Sequence, residues 1–375
     1  MSGIYIHIPF CKQRCFYCNF HFSTQLKNID EMVNAICKEI AFRRNYLKDK
    51  NLQSIYFGGG TPSLLSQKHL LQIFETIEKH FTIVAGAEIT LEANPDDLSE
   101  EKIAELKHTP INRLSIGVQS FFDADLKWMN RAHNAHEAEK AIAIAKQKGF
   151  ENITIDLIYG TPGLTNENWQ KNIQKALDLG VNHISSYALT VEPKTALAST
   201  IEKGNYANTN EEQAAEQFDI LVNTLTANGF IHYEISNFAK PDFFAKHNSN
   251  YWKGKHYLGI GPSAHSFNTV SRSWNVANNQ KYLNALAKNE LDITDEVLTV
   301  NNQINEYIMT GLRTIWGCDL NFMAAQFGET ERQRILKESA KFIAQDLLEI
   351  NNNILLTTAK GKFLADGIAA DLFLV

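Results

Sequence analysis

Three stretches of this chain run a long amphipathic segment into a glycine and begin a β-rich segment directly afterwards. They are "AIAIAKQKGFENITI", turning at Gly149, "IQKALDLGVNHIS", turning at Gly180, and "ILVNTLTANGFIHYEIS", turning at Gly229. Glycine tolerates the left-handed backbone that closes a helix, so each stretch reads as helix, stop, strand. Short runs rich in Ile, Val, Tyr and Leu, bounded by turn residues, predict strands at "IYIHI" (4–8), "SIYF" (54–57), "EITLEA" (88–93), "RLSIGV" (113–118), "NITIDLI" (152–158) and "HISSYAL" (183–189). Between the second and third, Leu70, Phe74, Ile77 and Phe81 recur at helical spacing behind Ser66, a natural cap. Repeated strand–helix–strand units predict a parallel sheet with right-handed crossovers, open or closed into a barrel.

The rhythm changes after about residue 290. "NNQINEYIMTGLRT" and "ETERQRILKESAKFIAQDLL" read as helices, followed by "NILLTT" and "AKGKFLADGIAADLFL". The expected organisation is an α/β unit over 1–240, a connecting segment over 241–290 and a small helix-rich domain with a hairpin or wing over 291–375. The polar stretch "EKGNYANTNEEQ" (202–213) is the linker candidate.

Composition narrows the function classes. A net charge of −6 gives no electrostatic reason to expect nucleic acid, whose binders carry a basic face. No apolar run reaches transmembrane length, and the N-terminus has no signal-peptide pattern, so no permanent membrane attachment is expected. Five cysteines suit no disulfide framework, and a reducing cytoplasm fits them best.

Three of the five, Cys11, Cys15 and Cys18, crowd into "CKQRCFYC". Cys37 shares an apolar helical stripe with Val33, Ile36 and Ile40 and reads as packing, as does Cys318. Three thiols in one tight loop after a strand cannot all be core. Structural zinc is one reading, with His7 or His21 as fourth ligand, but zinc sites ordinarily pair two distant knuckles. The other is a [4Fe–4S] cluster, in which three thiolates leave one iron without a protein ligand. An open metal position is where a substrate or cofactor coordinates.

Polar groups recur where the predicted strands end: "GGGTP" (58–62), Glu92 in "LEANP", Gln119 in "GVQS", Asp156 in "IDLIYGTP" and Tyr187–Ala188 in "SSYALT". In parallel α/β barrels, chemistry sits at that face. Glycines admit a ligand close to the backbone, Asp156 suits ribose hydroxyls, and Arg131 in "WMNRAH" suits a carboxylate.

The C-x3-C-x2-C spacing, with aromatic Tyr17 before the third cysteine, resembles the radical S-adenosylmethionine (SAM) superfamily. "YIHIPFC", "GGGTPS", "LEANPD", "RLSIGVQSF", "NRAH" and "IDLIYGTPG" further resemble the oxygen-independent coproporphyrinogen III oxidase family, and the similarity runs to "KGKFLADGIAADLF" at the end. The resemblance implies an incomplete (β/α)6 barrel with a smaller helix-rich C-terminal domain. It implies a [4Fe–4S] cluster on Cys11, Cys15 and Cys18, whose free iron chelates SAM's methionine part. It also implies SAM contacts from Tyr5, Tyr17, Gly59, Gly60, Thr61, Glu92, Gln119, Arg131, Asp156 and Ala188, an electron donor for the cluster, and a possible homodimer.

Two departures point away from the oxidase itself. The oxidase carries a further cysteine two positions after the third, where this chain has Phe20, and a longer segment ahead of its cysteine loop. The chain resembles instead the haem-chaperone branch, HemW, which implies haem binding and delivery to an acceptor haemoprotein. That branch has an H-N-x-x-Y-W motif, matched by "HNSNYW" (247–252). Imidazole can ligate haem iron, so His247 is the expected ligand, with Tyr251 and Trp252 offering flat faces. The bland alternative is a surface histidine beside packed aromatics, and His256 and His265 are rival ligands. An active oxidase that decarboxylates coproporphyrinogen, and a metal-stabilised binding protein without SAM chemistry, stand as the alternative functions.

Overall fold

Apolar and polar side chains alternate along the strand-forming runs, and that alternation decides the architecture. In the computed structural model, which describes residues 2–374, six strands lie parallel in chain order: β1 (Ser2–Ile8), β2 (Asn51–Gly59), β3 (Thr82–Ala93), β4 (Arg113–Gln119), β5 (Asn152–Tyr159) and β6 (His183–Ala188). One face of these strands, with Ile4, Ile6, Ile55, Phe57, Leu114, Ile116, Ile153 and Ile155, is buried with the crossover helices in the main core. Phe57 meets Phe74 of the helix Gln67–Glu78 edge to face, with ring centroids 5.4 Å apart. The intervening residues, among them Tyr5, Tyr56, Glu92 and Asp156, turn to the other face and line a polar bore. The result is an incomplete (β/α)6 barrel.

The local signals behave as their chemistry requires. Gly149, Gly180 and Gly229 close their helices at φ of 84°, 62° and 75°. Ser66 accepts from the backbone of His69, whose side chain returns the bond to Ser66 in a capping box.

The sheet extends past the barrel at both edges to twelve strands. β7 (Ile231–Glu234) and β8 (Asn237–Ala239) add antiparallel beside β6. On the other side β9 (Tyr257–Ile260) pairs parallel with β1, and β10 (His265–Phe267), β11 (Ser271–Asn275) and β12 (Ile293–Val297) follow antiparallel. Residues 241–290, expected as a connecting segment, therefore supply a helix at Lys246–Trp252, three strands of the sheet and a helix at Asn279–Ala287. Strands this short carry too few residues for a period to register. The stretch 202–213 joins the helices Ala196–Glu202 and Glu211–Ala227 within the α/β unit.

A buried carboxylate ties the extension down. Glu39, on the helix Ile29–Phe42, accepts from Gly261 N (2.8 Å), Asn275 Nδ2 (2.8 Å) and Tyr282 Oη (2.6 Å), and pairs with Arg43. The C-terminal part packs helices Val300–Leu312, Leu320–Phe327, Glu329–Ile343 and Ala365–Asp371 around a separate core including Ile304, Ile308, Leu312 and Ile335. A small antiparallel sheet of β13 (Cys318–Asp319), β14 (Leu348–Asn351) and β15 (Ile354–Thr357) forms its wing. Backbone bonds from Ile315 N to Tyr233 O (3.0 Å) and Ile235 N to Arg313 O (3.1 Å) seat it on the barrel edge. Among the described residues, no helix is long and apolar enough to cross a membrane.

Candidate functional site

The cysteine loop leaves β1 at the strand's C-terminal end and is fastened on several sides. Its neck is closed by Cys11 N to Ser23 O (3.0 Å) and Ser23 N to Pro9 O (2.9 Å). Asn130, held at a φ of 56°, donates to Arg14 O (2.7 Å) and its own carbonyl accepts from Gln13. Tyr17, the aromatic before the third cysteine, packs with Phe16 against the satellite core of Met129, Ile158, Leu189 and Leu197. Cys11, Cys15 and Cys18 are free, half-buried thiols. Thr61 Oγ1 donates to Cys11 Sγ (3.4 Å) and Arg131 Nη1 to Cys15 Sγ (3.3 Å). Burial pushes the Cys11 thiol up to about 12 and raises Cys18 as well. Among the described residues, no group of three His, Cys, Asp or Glu side chains is set to hold one metal ion.

The expected strand-end residues come together around this loop. Gly60 stands where a Cβ would meet the carbonyls of Phe10 and Ile8 at 2.6 and 2.7 Å, and Gly59 takes a φ of 102°. The glycine run is thus needed for close approach to β1 and the loop. Thr61 N donates to Phe10 O (2.7 Å). Gln119, at a bulge between β4 and β5, holds a φ of 67°, an uncommon conformation for its type and a store of strain beside the site. Arg131 Nη2 bonds Asn94 Oδ1 (2.7 Å) and Gly117 O (2.8 Å), while its Nε has no partner among the described residues. Ala188 pairs with Tyr159 at the end of β6.

Two carboxylates face the bore. Glu92 accepts from Tyr56 Oη (2.7 Å) and Gly59 N (3.2 Å). Burial pushes it up to about 7, with Asp156 nearby adding repulsion. Burial raises Asp156 to about 6, against the pull of Ser185, Arg131 and Arg113. Both side chains are partly open to water in a bore ringed by protein, and burial holds both carboxyls above the ordinary carboxylate range. Tyr5 stacks on Tyr56 at 6.1 Å and its hydroxyl meets His7 Nδ1 (3.1 Å). Sequence reasoning passed over Tyr56, Ser185, Asn94 and Arg113. The strand alternation marks all but Asn94 as facing inward.

The "HNSNYW" motif forms the helix Lys246–Trp252, docked at the opposite end of the bore. Glu88 of β3 accepts from the backbone of Lys246 and His247 (both 2.9 Å) and pairs with Arg113 (3.0 Å). His247 is 2% exposed. Its Nδ1 meets Ser54 Oγ (2.8 Å), its Nε2 meets Tyr251 Oη (2.8 Å), and its ring stacks on Tyr56 at 5.1 Å. Burial lowers its pKa to about 3. In this arrangement His247 has no free nitrogen and is not the surface histidine of the bland reading.

Tyr251 and Trp252 do reach open space. With Phe20 and His21 of the cysteine loop, His265 and Arg272 of the sheet extension, and Trp316 and Phe322 of the C-terminal part, they line a cavity of about 1160 Å³. Phe20 stands 67% exposed at its wall. His256 lies elsewhere, before β9, where its carbonyl accepts from Gly3 N (3.1 Å).

This architecture has known counterparts. Residues 5–176 match the model of the radical SAM superfamily, and residues 298–364 match the HemN C-terminal domain. The heme chaperone HemW of Bacillus subtilis (strain 168) is 35% identical over 374 residues, covering 98% of each chain. That of Lactococcus lactis subsp. lactis (strain IL1403) is 34% identical over 376 residues, again covering 98% of each. Among solved structures, the coproporphyrinogen III oxidase HemN from Escherichia coli superposes with a TM-score of 0.86 at 22% identity, covering 99% of this chain and 90% of that one. That likeness establishes the barrel with its C-terminal domain as the shared fold. Near-full-length identity on this scale carries more than fold: the chain belongs to the HemW family of the radical SAM superfamily.

Proposed function

We propose that this protein binds haem in the cavity beside its cysteine loop and hands it to an acceptor haemoprotein. The observation that carries the reading is the cavity: at about 1160 Å³ it exceeds the usual range of roughly 300–1,000 Å³ for ligand pockets, and Phe20, Tyr251, Trp252, Tyr257, Phe267 and Trp316 are among its aromatic walls. The near-full-length HemW relatives support it. Phe20 stands exposed where the oxidase carries its extra cysteine, so the loop offers no fourth thiol there.

Cys11, Cys15 and Cys18 would hold a [4Fe–4S] cluster, and the donor set fits: three free thiols, two of them hydrogen-bonded by Thr61 and Arg131. When bound, the cluster supplies one-electron chemistry and an open iron for the methionine end of SAM, with an external electron donor. The chain's own part is to position and balance charge. Arg131 places a cation beside Cys15 and keeps a buried Nε without a partner among the described residues. Glu92 and Asp156 gain negative charge as a cationic ligand enters.

The test is haem binding and transfer. Anaerobic, cluster-loaded protein is titrated with haem, then mixed with an apo-haemoprotein, while coproporphyrinogen is supplied in parallel. One equivalent bound, movement of haem to the acceptor, and unchanged coproporphyrinogen are expected. Steady decarboxylation without saturable haem binding would return the oxidase reading.

A further inference from the structure

We propose that His265, rather than His247, is the axial ligand through which haem is held in the cavity. The inference rests on the haem-delivery reading and deepens it. An axial ligand needs an imidazole nitrogen with a free lone pair, directed into space large enough for the macrocycle. Three of the chain's 12 histidines line the cavity: His7, His21 and His265. His7 has both nitrogens engaged, by His21 O (2.8 Å) and the Tyr5 hydroxyl (3.1 Å). His21 Nε2 is held by Asn279 Oδ1 (2.7 Å), which pins the ring and leaves only Nδ1 open, so His21 is the rival that the experiment must separate. His265 is exposed, and neither of its ring nitrogens has a hydrogen-bond partner among the described residues.

Its ring is nevertheless held in place. His265 sits opposite Trp274 in the β10–β11 pair and stacks on that indole with centroids 5.8 Å apart and planes 24° off parallel. Its backbone is wedged against Gly259, where a Cβ would come within 2.0 Å of the His265 carbonyl oxygen. Desolvation, with the Arg272 charge nearby, lowers its pKa, which favours the neutral, ligating form. The rest of the wall suits a porphyrin. Tyr257 and Phe267 give flat apolar surface, and Lys253 is a cation on the same cavity for carboxylate side arms, while Arg272 is paired there with Glu306. His247, by contrast, would have to give up its bond to Tyr251 and displace that side chain to reach the same space.

The experiment compares haem difference spectra of the full-length, cluster-loaded protein with those of His265→Ala, His21→Ala and His247→Gln. Iron-free protoporphyrin serves as a second probe, and a thermal melt of each variant runs beside them. Outer partners of metal ligands alone are worth about 10–100-fold in affinity, so losing the ligand in His265→Ala should weaken haem at least about tenfold. The Soret band should shift, and added imidazole should restore it. Protoporphyrin should bind wild type and His265→Ala alike, because the walls are unchanged. His247→Gln and His21→Ala should keep the wild-type Soret position. An unaltered band and affinity in His265→Ala overturns the assignment, as does loss of the band in a folded His247→Gln or His21→Ala. Wild-type protein that takes up protoporphyrin and haem with no saturable stoichiometry would instead remove the haem-delivery reading itself.

Discussion

The mouth of the barrel and its floor are built from similar residues and use them in opposite ways. At the floor, the Glu88 carboxylate pairs with Arg113 and caps the Lys246–Trp252 helix through two backbone N–H groups. Arg113 also reaches Thr154, and both nitrogens of His247 are engaged. At the mouth, Glu92 has one hydroxyl and one long backbone contact, Asp156 is raised to about 6, and Arg131 Nε has no partner among the described residues. Buried polar groups that satisfy one another hold shape, and the unsatisfied set at the open mouth is where a ligand can complete it, although single unpartnered atoms such as Ser249 Oγ occur at the floor too. A histidine motif and a carboxylate therefore mean different things at the two ends of one bore.

The largest expected break is at the mouth. Serine at Cys11, Cys15 or Cys18 should remove the cluster's iron, sulfide and visible absorption altogether, because three thiolates are the minimum that holds the cube. Cys37→Ser and Cys318→Ala should retain the full metal content. Cys37 donates to Gln72 O at 3.7 Å and packs against the main core, and Cys318 lies in the separate C-terminal core. Full iron and sulfide in Cys15→Ser would show that the mouth is as self-sufficient as the floor.

Next in size is the floor. Glu88→Ala strands the Arg113 guanidinium, 2% exposed, and uncaps the docked helix. Removing one partner of such a buried pair costs about 3–5 kcal/mol, to be read from urea unfolding. The folded fraction should still take up its cluster, since the thiols stand at the other end. A cost below about 1 kcal/mol would mean that the floor is not the lock described here.

Much of this contrast follows from local signals, and the remainder from contacts that no local signal carries. The six barrel strands, the three glycine stops and the Ser66 cap each follow from nearby residues. The strand-end residues could be gathered into one site because a parallel barrel puts all its strand ends on one face. The orientation of His247 could not be read that way: its i+4 neighbour Tyr251 is implied by helical spacing, but Ser54 and Glu88 lie 193 and 159 residues away. Strands β9 to β11 are short and broken by turns, so the wall carrying His265 reads as connecting chain, and β12 falls where the helix-rich domain is expected. The cavity is the hardest case, for its walls come from the cysteine loop, the sheet extension and the C-terminal part, and only their packing creates it.

The smallest expected effect concerns the pH dependence that an unsatisfied carboxylate imposes. Glu92 rises from an ordinary value of 4.5 to about 7 in the fold, chiefly through burial. Between those values the folded protein keeps a proton that the unfolded chain has released, so stability falls as pH rises through the window and levels off above it. Asp156, raised from 3.8 to about 6, acts in the same direction slightly lower. Glu92→Gln carries no titrating proton and still accepts from Tyr56, so its unfolding free energy should decline less steeply than wild type between pH 4.5 and 7. The separation of the two Glu92 values corresponds to about 3 kcal/mol at most, and water in the bore reduces the expected difference to about 1–2 kcal/mol. Urea unfolding at several pH values, with SAM absent, measures it. If wild-type stability instead rises with pH across that window, and Glu92→Gln removes the rise, then Glu92 is paired as firmly as Glu88. Mouth and floor would then differ only in what enters them.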